Sequence, residues 1–347
     1  MARAADQHIP RLDVLRAAAF LMVLSVHFCQ ANDWWVPRKG NLPDFSHQPL
    51  WTVPLVPFTW GMYGVALFFV ISGYCIHLSY LRAPSKFEWK GFFWRRFLRL
   101  YPAYLVSLVV CVMLQRFRHH AGDWSIWQIP THLLFIHNLF NRDLFYGING
   151  VYWSLGVEFQ FYALYPLLLL GREKWGMDRC LILSLGLNLL CQIGMTFYPY
   201  EWTSEGRSAV MTWCDWILGA CLVEAHLQGH PLFRNSRLAI GLSLAMFLVA
   251  LYWSSALSSQ TYLFASVFFA ALVDRYLLAA ATLSKLEKVL VPVGVVSYSL
   301  YLWHPPLIYF THDLLIRAGL PPTPLLFVFI YLPVNLLLLG AVATASW

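Results

Sequence analysis

The sequence predicts an all-α fold: a polytopic transmembrane helical bundle of about ten spans, with the N-terminus and the C-terminus cytoplasmic. Three observations predict it. The 347-residue chain is 59% hydrophobic and only 12% charged, with a mean hydropathy of +0.58, a balance that no soluble core requires. Apolar runs long enough to cross a bilayer recur from end to end. The runs are continuous rather than alternating, which argues against a transmembrane barrel.

The spans fall near 13–31, 58–81, 100–115, 151–171, 180–198, 209–228, 238–256, 261–279, 290–310 and 324–345. The first resembles a secretory signal, with basic residues before an apolar core. However, no small-residue cleavage site follows, so it is read as a span. The apolar stretch 126–140 is short and contains Pro130, which fits an interfacial or re-entrant helix. With the N-terminus inside, 17 Lys and Arg residues fall on inner segments and seven on outer ones. That excess sets the orientation. It also explains the net charge of +7 without a nucleic-acid face, so nucleic acid is not an expected partner and the lipid bilayer is. The seven cysteines lie in or beside apolar segments and show neither a metal-ligand spacing nor a disulfide framework. No metal site is expected.

Four features carry candidate chemistry. Arg16 and His27 lie eleven residues apart in the first span. Eleven steps of about 100° bring both to one helix face, about 16 Å apart along the axis. Ionisable side chains inside a span are functional candidates by default. The second feature is Arg95, Arg96 and Arg99, in a basic cytoplasmic loop that leads into the start of the third span. Arg96 and Arg99 can face one ligand from one turn, and guanidinium forks suit phosphate; the same arginines would also serve as a positive-inside anchor. The third is Glu158, a lone carboxylate about two turns into the fourth span. The fourth is His304, beside the kink expected at Pro305. Counting from the helix ends, His27, Glu158 and His304 fall at a similar depth near the outer face, which allows them to converge on one site. Asp215 and His77 are weaker intramembrane candidates. Ser72-Gly73 interrupts the second span and would permit close helix packing.

These residues resemble the membrane acyltransferase-3 family in five ordered blocks. Arg11-Leu12-Asp13-Val14-Leu15-Arg16-Ala17 and the later His27 match its opening segment. Phe68 to Tyr74, Arg95 to Pro102, Trp153 to Tyr162 and Ser297 to His304 match four more. The resemblance implies an O-acyltransferase of the cell envelope in a bacterial-type cytoplasmic membrane. It implies acyl-CoA, usually acetyl-CoA, as donor substrate, a saccharide or related hydroxyl as acceptor, and no bound cofactor. It also implies functional roles for Arg16, His27, Arg96, Arg99 and Glu158; His27 and Glu158 are expected to be catalytic, and Arg16, Arg95, Arg96 and Arg99 to bind acyl-CoA. Asp13, Ser72, Trp153, Ser154, Tyr301 and His304 are expected to line the site. Residues 1–347 read as one membrane-embedded domain of the stand-alone type. The chain stops at Trp347 inside an apolar run without flanking charge, which reads as a truncated end. In the expected chemistry His27 acts as base or acyl carrier, and Glu158 orients its imidazole. A proton-coupled secondary transporter would use the same intramembrane His and Glu as a relay. A non-catalytic acyl-CoA-binding protein would keep the arginines and not need His27.

Overall fold

The computed structural model describes residues 8–32, 38–39, 42–43, 56–118, 125–197, 208–252, 260–279, 282–320, 323 and 326–345. Apart from a two-residue antiparallel ladder between Arg38–Lys39 and Leu42–Pro43, the described residues form helices and their connections. The membrane-length helices are α1 (Pro10–Ala31), α2 (Gly64–Leu81, entered through a 3-10 turn at Trp60–Tyr63) and α3 (Trp89–Arg118). Two short helices, α4 (Gln128–Leu133) and α5 (Arg142–Tyr146), come next. They lead to α6 (Tyr152–Trp175), α7 (Met177–Phe197) and α8 (Ala209–Leu227). The chain continues through α9 (Ser236–Tyr252), α10 (Gln260–Leu278), α11 (Lys285–Val295), α12 (Ser297–Arg317) and α13 (Leu332–Ala345). Eight described helical segments are long and apolar enough to span, and α11 with α12 is a bent pair that meets the same length and hydropathy criteria together. Helix α9 is apolar but shorter, and occupies the expected seventh span. Much of the expected outer segment 32–57 lies outside the described residues, as do 119–124 and the end at Ser346-Trp347.

Local chemistry sets the boundaries. Pro10 opens α1 where its missing N–H costs nothing, and Asp13 sits in the first turn where the helix dipole favours an acid. At the other end, the Asn32 amide donates to the Phe28 carbonyl at 2.8 Å. Gly176, at φ +83°, turns α6 directly into α7.

Burial separates centre from rim. In α8, 72% of the apolar window is buried, against 22% in α7 and in α13. The central helices touch backbone to backbone. A Cβ on Gly73 would lie 1.9 Å from the Trp216 carbonyl oxygen, and one on Gly219 would lie 2.0 Å from that of Val70. Helices α2 and α8 therefore cross through paired glycines, as the Ser72-Gly73 interruption predicts. A Cβ on Gly294 would meet the Asp13 carbonyl oxygen at 1.8 Å, which pins α11 against α1.

Two expectations need correction. The third span does not begin near residue 100: α3 starts at Trp89 and runs through Pro102. Arg95, Arg96 and Arg99 thus project from a helix rather than a loop. The polar arginines broke the apolar run without breaking the helix, because arginine is a good helix former. The ninth span, expected over 290–310 with its kink at Pro305, breaks elsewhere, and Pro305 lies inside the continuous helix α12. The span is two helices bent by 76° at Val296, and the bend faces the candidate site.

Candidate active site

The site is a ladder of four layers, held mainly by α1, α2, α3, α6 and α12. The first layer is cationic. Arg16 Nη1 donates to Asp13 Oδ1 at 2.6 Å and Nη2 to Cys75 Sγ at 3.2 Å. Asp13 is buried and also pairs with His8. Arg96 lies over the rings of Phe92 and Tyr162, at 5.7 and 6.0 Å from their centroids. Its Nε is buried and has no hydrogen-bond partner among the described residues. Arg16, Arg96 and Arg99 face a cavity of about 140 Å³ whose wall includes Cys75, Glu158 and Tyr298. A second cleft of about 450 Å³, lined by His8, Asp13, Ser79 and Arg82, shares Arg16 and Cys75 with the first. The Arg16–Cys75 pair therefore stands between this cleft, a vestibule, and the cavity.

In the second layer, Glu158 Oε1 accepts hydrogen bonds from Ser72 Oγ at 2.6 Å and from the Tyr162 hydroxyl at 2.5 Å. Ser72 Oγ in turn accepts from Trp216 Nε1 at 3.1 Å. A relay of donors thus fixes the carboxylate beside the arginines. The third layer lies one turn further along α2 and α6, where Phe68 follows Ser72 and Ser154 follows Glu158. Ser154 Oγ hydrogen-bonds the Tyr301 hydroxyl at 2.7 Å, and the Phe68 ring meets the Tyr301 ring edge-on at 5.7 Å.

The fourth layer is a histidine pair made possible by two prolines. Pro305 and Pro306 lie inside α12 and have no N–H. The carbonyls four residues back, on Tyr301 and Leu302, therefore lose their helical donors. His304 Nδ1 donates to the Tyr301 oxygen at 2.9 Å, while Asn149 Nδ2 and Ser107 Oγ donate to the Leu302 oxygen at 3.3 and 3.5 Å. With its proton on Nδ1, His304 presents the lone pair of Nε2. That atom lies 3.3 Å from His27 Nδ1, whose proton is also shared with the Val23 carbonyl at 2.8 Å. The partners assign both tautomers. They leave the His27 Nε2 lone pair as the reactive edge, and it has no hydrogen-bond partner among the described residues. The two rings stand edge to face at 4.7 Å.

The expected site residues sort unequally. His27 and His304 are brought together. Glu158 is not placed against His27: its hydrogen bonds go to Ser72 and Tyr162, in the layer beside the arginines. Depth counted from helix ends ignores tilt and the bend at Val296, and an error of four residues is already about 6 Å. Arg95 is exposed and outside the cavity wall, whereas half-buried Arg96 and exposed Arg99 both line it. Trp153 is buried against Phe69, Phe145 and Tyr262 and packs the core instead of lining the cavity. Asp13 lines the vestibule. His77 binds Tyr165 and Glu224 at 3.0 and 2.9 Å, away from the cavity, in a cluster that Arg172 completes through Glu224. Sequence reasoning missed Cys75, Tyr162, Arg82 and Tyr298. Cys75 and Tyr162 had a readable signal, since each lies at helical spacing (three or four residues) from a motif residue, Ser72 or Glu158. Among the described residues, no cluster of three or more His, Cys, Asp or Glu is placed to hold a metal ion. Outside the spans, His132 and His137 stack at 4.0 Å. Burial pushes His132 down to about 4 and His137 well below the usual histidine range.

The profile of the acyltransferase-3 family, described as an acyltransferase domain, matches residues 9–344. The chain belongs to this family. It is a multi-pass membrane member, as its helices require. The peptidoglycan O-acetyltransferase OatA of Listeria monocytogenes is 29% identical over 345 residues, covering 90% of this chain and 51% of that protein. The O-acetyltransferase OatA of Staphylococcus aureus is 27% identical over 384 aligned residues, covering 98% of this chain and 56% of its own length. The chain thus spans about half the length of these curated relatives. No solved structure matches it.

Proposed function

We propose that this acyltransferase-3 chain moves an acyl group, acetyl in the first instance, from acyl-CoA to a hydroxyl of a cell-envelope saccharide. Peptidoglycan, named for the Listeria relative, is the leading acceptor. One observation carries the reading: a single stack of contacts joins an arginine-lined cavity to a histidine pair deep between helices. The excess of Lys and Arg turns the arginine end toward the cytosol, where CoA is found. The phosphates of CoA suit Arg16, Arg82, Arg96 and Arg99, which line the cleft and the cavity that meet at Arg16 and Cys75. The membrane is then a bacterial cytoplasmic membrane.

At the far end, His27 Nε2 acts on the thioester. In one route it attacks the thioester carbon and the C–S bond breaks. The CoA thiolate departs, and an acyl-imidazolium forms that still carries its Nδ1 proton. That proton is shared with His304 Nε2, so His304 stabilises the cation as the third member of a triad does. An acceptor hydroxyl then attacks the acyl carbon, the acyl–Nε2 bond breaks and neutral His27 is released with its Nδ1 proton; the hydroxyl proton goes to solvent and balances the charge of the departed CoA thiolate. In the other route His27 takes the hydroxyl proton directly while the hydroxyl attacks the thioester; the C–S bond breaks and the departing CoA thiolate takes that proton from the His27 imidazolium. Glu158 stands with the donor in this arrangement, orienting Ser72 and Tyr162 around it, rather than serving the imidazole.

Purified protein in lipid vesicles, given labelled acetyl-CoA and peptidoglycan fragments, tests the reading. Labelled acceptor supports it. Binding of acetyl-CoA without transfer points to a non-catalytic CoA-binding protein, and solute flux without transfer to a transporter. An acyl adduct on His27 distinguishes the first route from the second.

A further inference from the structure

We propose that a pocket at the other end of the bundle from the arginines binds one sugar unit of an acceptor saccharide, next to the unit that is acylated. The proposal rests on the acyl-transfer reading and adds a subsite and a requirement on acceptor length. The pocket, of about 280 Å³, lies between the end of α3, the residues just before α6 and the second half of α12. Its Gln115 follows Arg99 by 16 residues on α3, about 24 Å along the axis. The pocket and the arginine-lined cavity therefore lie toward opposite faces of the membrane. The excess of Lys and Arg turns the pocket outward, where envelope saccharides are found. Its wall is fixed to the histidine pair. Gln115 Nε2 donates to the Gly147 and Ile148 carbonyls at 3.0 and 2.8 Å. Asn149 Nδ2 donates at 3.3 Å to the Leu302 carbonyl, two residues before His304.

The wall chemistry indicates the ligand. Tyr309, Asp313 and Arg317 all line the pocket and follow one another at four-residue spacing, so they share one face of α12. Among the described residues, the wall carries one carboxylate, Asp313, and one guanidinium, Arg317. It thus has no excess positive charge to hold a phosphate, unlike the cavity with Arg16, Arg96 and Arg99 against Glu158. A sugar hydroxyl both donates and accepts. Arg317 supplies donors, and Asp313 and the Gln115 carbonyl oxygen supply acceptors. Tyr309 offers a ring for the C–H face of a pyranose and a hydroxyl at its tip. Apolar walls with a few convergent polar groups are the usual make-up of a ligand pocket. The placement decides which unit is held. Nine steps of about 100° separate His304 from Asp313, so the two point to opposite sides of α12. His304 faces His27, and the pocket lies about one helix diameter away, ~10 Å. A sugar seated in the pocket is too far from His27 to be acylated itself. A neighbouring unit of the same chain crosses that gap and presents its hydroxyl.

The test measures transfer from labelled acetyl-CoA to peptidoglycan glycan fragments of one disaccharide and of four, in lipid nanodiscs that leave both faces accessible. It uses wild-type protein, Asp313→Ala and Arg317→Ala. Alanine is the best helix former and both positions are at least partly exposed, so the variants are expected to fold; either folded variant decides the matter. Wild-type protein is expected to show a lower KM for the longer fragment. Each variant is expected to raise that KM about tenfold or more, as loss of a hydrogen bond to a charged group does. The KM for acetyl-CoA and the KM for the single disaccharide are expected to stay within about twofold of wild type. A folded variant with the wild-type KM for the longer fragment overturns the proposal. So does an equal rise for both fragments, or wild-type protein that does not distinguish the two lengths. Each of these leaves the acyl-transfer reading intact. Wild-type protein that acetylates neither fragment overturns both.

Discussion

His304 is the side chain that meets His27 across the helices, and its substitution gives a sharp prediction. Its Nε2 accepts the Nδ1 proton of His27 at 3.3 Å, a contact that strengthens when His27 becomes cationic during transfer. Hydrogen bonds to charged groups contribute about 1.5–3 kcal/mol. This one is long and its proton is shared with the Val23 carbonyl at 2.8 Å, which places it near the lower limit. At about 1.4 kcal/mol per factor of ten, its loss should lower kcat roughly 10- to 30-fold. His304→Phe removes the acceptor while keeping a ring in the space between Phe20 and Tyr301, whose rings lie 5.8 and 5.5 Å from the His304 ring. The arginine-lined cavity lies on the far side of the Tyr301 layer, so the KM for acetyl-CoA should stay within about twofold. The assay is steady-state transfer in lipid vesicles, with thermal unfolding followed in parallel to confirm folding. A folded His304→Phe variant with wild-type kcat would refute the reasoning, as would a rise in KM at unchanged kcat.

Other expectations follow from the same geometry. Arg96→Gln should raise the KM for acetyl-CoA about 10- to 100-fold with a smaller effect on kcat, because it removes one charge-assisted contact to phosphate; unchanged donor binding by calorimetry would contradict this. Gly294→Ala places a Cβ where the Asp13 carbonyl oxygen already lies, and should cost about 1–3 kcal/mol as α1 and α11 separate, read as a lowered unfolding temperature. Burial lowers the His132 pKa to about 4, so between its usual value and 4 the unfolded chain binds more protons than the folded one. The folded state therefore loses stability as pH falls through that window, by about 3 kcal/mol in all for this one group. His132→Gln should flatten the acid limb of unfolding temperature against pH between 7 and 4, and an unaltered limb would count against it.

The sequence made some parts of this site legible and hid others for physical reasons. The helical phase of Arg16 and His27 could be read directly, because one continuous helix carries both. The value of His304 could be read only as a His at a kink. What the prolines do, freeing the Tyr301 carbonyl to orient the imidazole, appears once the helix is in hand. Glu158 hydrogen-bonds Ser72 and Tyr162, a pairing the sequence does not reveal. A lone intramembrane carboxylate announces a partner but not which one, and lateral position depends on tilts and on the bend at Val296. Arg96 and Arg99 were recognised as a pair but placed in a loop, because hydropathy marks where apolar residues begin rather than where a helix begins. Trp153 shares a motif with Ser154 and Glu158, yet its neighbours on the helix surface point it into the core. Adjacent residues on a helix face different directions by about 100°, so motif membership alone does not place a side chain at the site.

The central claim is that His27 handles the acyl group. The most direct measurement compares acetyl transfer by wild-type protein and His27→Ala, purified in lipid vesicles and given labelled acetyl-CoA and a peptidoglycan-fragment acceptor. The account predicts that the variant folds, binds acetyl-CoA with near wild-type affinity and loses transfer by at least about 10²-fold, the minimum for removal of a general base. A folded His27→Ala protein that still acetylates the acceptor at a substantial fraction of the wild-type rate would contradict it.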